Sequence, residues 1–334
     1  MIRIMISSVP MKAPWGIGLS KNLKRGRVKD VTIDGHKYAL FRNDKGKVSL
    51  IDSVCPHRGA DLSKGKLING CVQCPYHGWE FNDCGKLTKV PSLKEHHRIP
   101  KKGDVSGYEV VESGGFIWLT DPSVVHENNH LPTELCDELF DRRWTRVYGS
   151  KILEGNITDW IMNGVDISHI NYVHDFANED NGRVDNVVIK PNYTSEPKYV
   201  DCYANVKPKA SSSLTEHMQP DNGSEIHSRF IAPNTTAIRI KLKDPYEFIT
   251  FTTLLPVDEN HTKMSWCLLY PKHFLLNLPF VFNRFYNEMY RTVSQDEEII
   301  KNVTRLELPY LVNVQCDMFQ IQAMKMIGFE PNKK

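Results

Sequence analysis

The sequence predicts an α+β protein in two parts, an all-β N-terminal domain and a C-terminal antiparallel sheet packed with helices. Two observations predict this. Short strand-like runs separated by turn residues fill Val31 to about Asp121, and longer strand-like stretches from Tyr199 to Tyr270 give way to a late helix. A third observation places chemistry in the first part: two short loops there each carry a cysteine and a histidine.

In the first part Lys37–Arg42, Lys47–Asp52, Val72–Phe81, Lys86–Val90 and Phe116–Leu119 read as strands, and Asn82-Asp83-Cys84-Gly85 as the turn between two of them. Ser123–Asp141 is polar, contains Pro132 and has no strong period, so it reads as the connection. Ile157–Val173 reads as helical. Tyr199–Val206, Glu225–Ile231, Thr236–Leu242, Glu247–Leu255 and Lys263–Tyr270 read as strands, with Pro256–His261 a hairpin loop, and a long helix spans about Phe280–Val303. The expected division is 1–14 as an extension, 15–122 and 145–334 as domains, and 123–144 as a linker.

The chain has 334 residues and a net charge of +2, which gives no reason to expect a nucleic-acid or anionic-lipid partner. The basic run Lys21–Lys29 reads as a solvated face, with an acidic redox partner as the alternative. No stretch reaches the about 20 apolar residues of a membrane span; the nearest, His273–Tyr286, is interrupted by Asn277, Pro279, Asn283 and Arg284. Met1–Lys12 lacks a signal-peptide core. A soluble, cytoplasmic protein is the expectation. Eight cysteines at this length are too sparse for a disulfide scaffold. Two of them beside histidines point to metal in a reducing compartment.

Cys55-Pro56-His57, then sixteen residues, then Cys74-Pro75-Tyr76-His77 is a four-point metal pattern. Zinc accepts two Cys and two His, but zinc fingers group like ligands together. Here each loop offers one thiolate and one imidazole. That suits a binuclear [2Fe–2S] cluster with both cysteines on one iron and both histidines on the other, as in Rieske centres. Neutral imidazoles remove negative charge, so reduction is easier by roughly 250 mV or more than in an all-cysteine plant-type ferredoxin.

Cys55-Pro-His-Arg58-Gly59-Ala60-Asp-Leu, Gly65 and Cys74-Pro-Tyr-His77-Gly78-Trp79 resemble the Rieske domains of aromatic-ring and related oxygenases, from about Trp15 to Asp121. Rieske proteins of cytochrome bc complexes carry a bracing disulfide at the positions of Ala60 and Tyr76. Neither is Cys here, so the resemblance is to the lower-potential oxygenase or ferredoxin type. Trp79 is given a packing role.

Asn163-Gly-Val-Asp166-Ile-Ser-His169-Ile-Asn-Tyr-Val-His174 matches the Asp-x-x-His-x-x-x-x-His pattern of the oxygenase catalytic domains. Two histidines and a carboxylate hold Fe(II) in such enzymes and leave one face open. The third ligand is read from the late helix. Phe282, Tyr286, Met289, Val293, Asp296, Ile300 and Val303 step by three and four, and a carboxylate within an apolar stripe needs a partner such as a metal. Asp296 is the choice, since the family's ligating Asp comes from this helix; the alternative is a helix-face Asp paired with an Arg such as Arg291. Glu297 and Glu298 read as solvated.

The resemblance implies a helix-grip-like catalytic domain and gives Asp166 the role of electron bridge to a cluster histidine of a neighbouring subunit, which implies a closed ring, a homotrimer. Asn163 either tunes the iron site or packs. An external reductase or ferredoxin would bring NAD(P)H electrons, O₂ would be co-substrate, and a small molecule would be hydroxylated, demethylated or desaturated. The 127-residue step from His169 to Asp296 looks more like monooxygenase and demethylase members than ring-dihydroxylating subunits. The rival reading is a stand-alone Rieske electron-transfer protein.

Five residues turn an ideal α-helix by about 140° net, so His169 and His174 would not meet one ion. A π-bulge, or a break near Asn171, is therefore expected within Asp166–His174. His96, His97, His126 and His130 read as surface residues, and Cys71, Cys84, Cys136, Cys202, Cys267 and Cys316 as ordinary thiols.

Overall fold

A computed structural model describes residues 14–94, 98–100, 102–120, 131–174, 184–206, 220, 223–244, 246–273, 279–303 and 312–328. His96, His97, His126, His130 and Met1–Lys12 lie outside them. The chain divides into two compact units. One is Met5–Asn129 with Pro256–Glu259; the other is His130–Leu255 with Asn260–Lys334. Among the described residues the fold is α+β, mostly antiparallel sheet with few helices.

The first unit holds eleven described strands: β1 Trp15–Leu19, β2 Arg27–Ile33, β3 His36–Arg42, β4 Val48–Asp52, β5 Lys66–Ile68, β6 Cys71–Gln73, β7 Glu80–Phe81, β8 Leu87–Lys89, β9 Gly107–Tyr108, β10 Val110–Ser113 and β11 Phe116–Leu119. They form sheets ordered β1-β11-β10, β2-β3-β4-β9 and β5-β6-β7-β8. Ala39, Phe41, Ile51, Leu62, Val72, Phe81 and Leu87 build one core cluster, and Cys55 and Cys74 belong to it. The candidate cluster cysteines are thus anchored by the same apolar packing that holds the sheets together.

The run Val72–Phe81 is not one strand. It is β6 and β7, with Cys74–Trp79 looping out between them. The alternation that suggested a strand is real at both ends, but a loop that turns His77 onto His57 of the other loop cannot stay in a ladder. β2, β5, β9 and β10 escaped the sequence reading because they are short or solvated on one face, and β1, though largely buried, because Gly16 and Gly18 interrupt it. Lys21, Lys24, Arg25, Arg27 and Lys29 are all exposed.

The second unit is built on one seven-stranded sheet. Its strands are β12 Trp144–Glu154, β13 Val184–Asn192, β14 Tyr199–Val206, β15 Ser224–Ile231, β16 Thr235–Lys241, β17 Glu247–Pro256 and β18 His261–Pro271, in the order β12-β18-β17-β16-β15-β14-β13. Its helices are α1 Ile157–Gly164, α2 Ile170–Val173, α3 Pro279–Asn302 and α4 Met318–Met326. Along β14, Val200, Cys202, Ala204 and Val206 are buried on one face while Tyr199, Asp201, Tyr203 and Asn205 point to the other, the period of two that a half-covered sheet imposes.

The connecting segment is less solvent-like than its composition suggests. Residues 131–141 carry two 3₁₀ turns, Pro132–Leu135 and Asp137–Leu139, with Leu131, Cys136 and Leu139 buried. Three sheet arginines hold them. Arg229 donates to Leu135 O at 3.4 Å, Arg146 donates to Leu139 O at 2.6 Å and Asp141 O at 2.7 Å, and Arg239 pairs with Glu138.

Asp201 is buried on that face, 2.8 Å from His227 Nε2 and accepting from Arg229 at 2.6 and 2.9 Å. Burial alone would raise its pKa, but the bonds from His227 and Arg229 outweigh it and hold the carboxyl below its ordinary range. A depressed pKa stabilises the fold above the unfolded value and is lost as pH falls through the folded one. Asp201→Asn should therefore cost about 3 kcal/mol at neutral pH by leaving Arg229 unpaired. The gap from wild type should close below about pH 4. Urea unfolding of both proteins across pH measures this; a gap that is constant with pH would show that the charge is not responsible.

The expected helix Ile157–Val173 is broken. α1 ends at Gly164 with Val165 as its cap, the chain turns through Asp166–His169, and α2 is a single turn. Val303 lies past the end of α3 and is exposed, so it does not extend the stripe; Phe282 lies outside the described side chains. Glu297 is not solvated. It pairs with Lys151 at 2.6 Å and accepts from Glu154 N at 3.0 Å. Burial raises its pKa, yet these bonds hold it below the ordinary carboxylate range. Glu298 is exposed. No helix among the described residues is long and apolar enough to cross a membrane.

Candidate metal centres

The first constellation rests on two loops of the same design. Cys55-Pro-His-Arg-Gly59 and Cys74-Pro-Tyr-His-Gly78 each close on a glycine four residues after the cysteine. Gly59 N donates to Cys55 O at 2.8 Å and Gly78 N to Cys74 O at 3.1 Å. Cys55 N then donates to Ala60 O at 2.9 Å, and Cys74 N to Trp79 O at 2.7 Å. Both glycines are left-handed, at φ +72° and +71°, where a side chain is strained. The loops differ in where the histidine stands, third in one and fourth in the other.

This geometry brings the predicted residues together. Cys55 and Cys74 are buried and free of any disulfide. The rings of His57 and His77 meet edge to face with centroids 4.5 Å apart, and Trp79 stacks on His57 at 4.6 Å. Burial pushes the Cys55 thiol up, and neighbouring Cys74 adds to it. Burial, His77 and Arg58 hold His57 below the ordinary imidazole range. His57 Nδ1 is buried with no hydrogen-bond partner. Two paired thiols and an orphaned imidazole nitrogen are the donor set that a cluster with mixed Cys and His ligation requires. Asp61 braces the first loop, accepting from the hydroxyls of Ser53 and Ser63 and from Ser63 N at 2.9 Å.

The second constellation gathers at α3. His169, His174 and Asp296 each offer a ligand atom, all within 4.8 Å of one another. Asp296 Oδ1 lies 3.4 Å from His169 Nε2 and 3.5 Å from His174 Nε2. Donors about 2.1 Å from one ion stand roughly 3.0–3.5 Å apart when they meet near 90–110°, so these spacings fit a shared metal. Asp296 is buried, in line with its place beside buried Val293 on the stripe. Asn163 Nδ2 donates to the same Oδ1 at 3.2 Å. Burial depresses the His169 pKa, but Asp296 and then Asp166 more than reverse it and hold it above the ordinary value.

Neither expected distortion between the histidines occurs. Val173 N donates to His169 O at 2.9 Å and His174 N to Ile170 O at 3.4 Å, both ordinary i→i+4 bonds, so there is no π-turn and no break at Asn171. The break comes earlier, at Val165–His169, where Asp166 Oδ1 accepts from Ser168 N at 2.7 Å. The chain also leaves the helix at His174 itself, which is extended at φ −102°, ψ 132°. One ring at each end of a single turn, with the second turned outward by its own backbone, brings the centroids to 5.3 Å. Asp166 Oδ2 faces His169 Nδ1 at 3.8 Å. Sequence reasoning missed Gln295, whose Oε1 lies 3.3 Å from His174 Nδ1. Gln295 is off the apolar stripe, so periodicity gave it no mark.

Both constellations lie within segments that match known domain families. Residues 15–109 match the Rieske [2Fe-2S] domain, and residues 156–328, over half the chain, match the vanillate O-demethylase oxygenase C-terminal domain. The chain belongs to the Rieske-type oxygenases, the family that joins these two domains. The oxygenase C-terminal domain argues against a stand-alone electron-transfer protein. The chain is 27% identical to cholesterol 7-desaturase of Hemicentrotus pulcherrimus over 46% of its own length and 34% of that protein. It is 30% identical to the oxygenase component of 3-ketosteroid-9-alpha-monooxygenase of Rhodococcus rhodochrous, over 47% of this chain and 41% of that one. The matches thus span well under half of these relatives. Dicamba monooxygenase bound to dicamba shares the fold, with a TM-score of 0.76 at 18% identity over 95% of this chain and 96% of that structure.

Proposed function

We propose that this chain is the oxygenase component of an O₂-dependent oxidoreductase that hydroxylates, demethylates or desaturates a small organic substrate. The convergence of His169, His174 and Asp296 carries the reading, because an electron-transfer protein has no use for a second, buried ligand set. When bound, the cluster would supply single electrons, and Fe(II) would activate O₂.

The protein's own groups have separable tasks. Cys55 and Cys74 would hold one iron of the cluster, and His57 and His77 the other. His169, His174 and Asp296 would hold the mononuclear iron, with two imidazoles and one carboxylate. Asn163 fixes the Asp296 carboxylate through Oδ1. Asp166 orients the turn through Ser168 N and faces His169 Nδ1, and its carboxylate is partly exposed. A head-to-tail homotrimer would set it against His77 of the neighbour. An external reductase or ferredoxin drawing on NAD(P)H would donate to the cluster.

The test is ¹⁸O₂ turnover by the reconstituted protein with a ferredoxin–reductase pair. A panel of sterols, chlorins, N-methyl compounds and methoxylated aromatics is analysed by mass spectrometry. Substrate-dependent O₂ uptake with a changed product is expected; its absence across the panel in iron-loaded protein would sink the proposal. Asp166→Asn should leave cluster reduction at its wild-type rate and lower product formation by roughly 100-fold. Stopped-flow reduction beside single turnover separates the two; slowed cluster reduction would assign Asp166 elsewhere.

A further inference from the structure

Two neighbouring residues of α3 address the two nitrogens of one ring. Asp296 Oδ1 lies 3.5 Å from His174 Nε2, and Gln295 Oε1 lies 3.3 Å from His174 Nδ1. Adjacent helical side chains leave the axis about 100° apart, and His174 fills the angle between them. The other histidine is treated differently. His169 Nδ1 is buried without a hydrogen-bond partner, and the nearest carboxylate oxygen, on Asp166, is 3.8 Å away.

We infer that Gln295 is a positioning residue that fixes His174 as the Nδ1–H tautomer, so that its Nε2 lone pair faces the metal. The inference rests on reading His169, His174 and Asp296 as the iron site. An imidazole has one donor and one acceptor nitrogen when neutral; Nε2 faces the site shared with His169 and Asp296, where a metal needs its lone pair, so the proton falls to Nδ1, which meets Gln295. The Gln295 carbonyl is the acceptor. It pins the proton on the outer nitrogen and stops ring rotation, so His174 is preorganised by the helix that also supplies the carboxylate ligand. His169 gains no such support from α3. The two histidines therefore differ in what holds them, one by a neutral amide of the same helix, the other only by what comes near Nδ1.

The experiment is a Co(II) titration of protein that keeps its cluster but has been stripped of mononuclear metal. The cobalt ligand-field bands report occupancy, and the cluster spectrum and circular dichroism report folding. Gln295→Met keeps size and helix propensity but has no carbonyl; it should raise the Co(II) dissociation constant 10–100-fold, whereas Gln295→Glu, which retains the acceptor, should stay within about threefold of wild type. If Gln295→Met binds like wild type, Gln295 does not position the ring. If Met and Glu weaken binding alike, the amide donates rather than accepts, and the tautomer assignment is overturned. His169→Ala and Asp296→Ala run alongside. If they too bind like wild type, the metal site lies elsewhere and the functional reading fails. If they lose cobalt while Gln295→Met does not, only this inference fails.

Discussion

Cys74→Ser should give colourless protein with no low-g EPR signal after reduction. The cysteine side chain is buried in the core of the first unit, beside Cys55, where burial pushes the neighbouring thiol's pKa up. Only a strongly bound cation removes protons there, and a serine hydroxyl, far less acidic and a harder ligand, does not replace the thiolate. Because ligand binding is folding free energy in a loop-built site, the first unit should also melt lower than wild type. Cys84→Ser is the control, since Cys84 is exposed and sits in the turn before β8. Visible absorption, EPR and a thermal melt are sufficient. A Cys74→Ser protein that stays brown with its EPR signal intact would remove Cys74 from the ligand set, whatever the loop symmetry suggests.

The two sites were legible in the sequence to different depths. Cluster loops announce themselves because all four donors sit in two five-residue units, and loop closure by Gly59 and Gly78 is local chemistry. What the sequence hid was the interruption of the ladder, since Val72 and Phe81 alternate correctly on either side of the loop. The iron site needed two readings at once, a His-x-x-x-x-His spacing and a carboxylate in an apolar stripe. Both were readable. How His169 and His174 come together was not, because the answer lies in backbone angles at the ends of α2, which no side-chain period records. Gln295 was invisible for a related reason. It acts through contact with a residue 121 positions earlier, a relation that only the fold creates. β12 and β13 and the arginine clamp on residues 131–141 were missed because polar composition hid an ordered, partly buried surface.

Asp296→Ala and His169→Ala should each abolish mononuclear iron while leaving the cluster spectrum unchanged. Asp296 Oδ1 is the point on which His169, His174 and Asn163 converge, at 3.4, 3.5 and 3.2 Å. Removing it takes away the only carboxylate of the three-ligand set and leaves two neutral imidazoles, a poor site for a divalent ion that favours mixed nitrogen and oxygen donors. Asp296→Asn keeps the shape but not the charge, so it should retain weak binding and rank between wild type and alanine. The same loss of charge should lower the His169 pKa in metal-free protein, since Asp296 is the strongest influence raising it. His169→Ala removes a donor but leaves the carboxylate, and His36, an exposed residue of β3, supplies the control substitution. Iron per protein by elemental analysis, after subtracting the two irons of the cluster, gives the measurement. If both alanine variants hold a full third iron, the three side chains are a polar cluster and not a metal site, and the proposed oxygenase chemistry has to be sought elsewhere in the second unit.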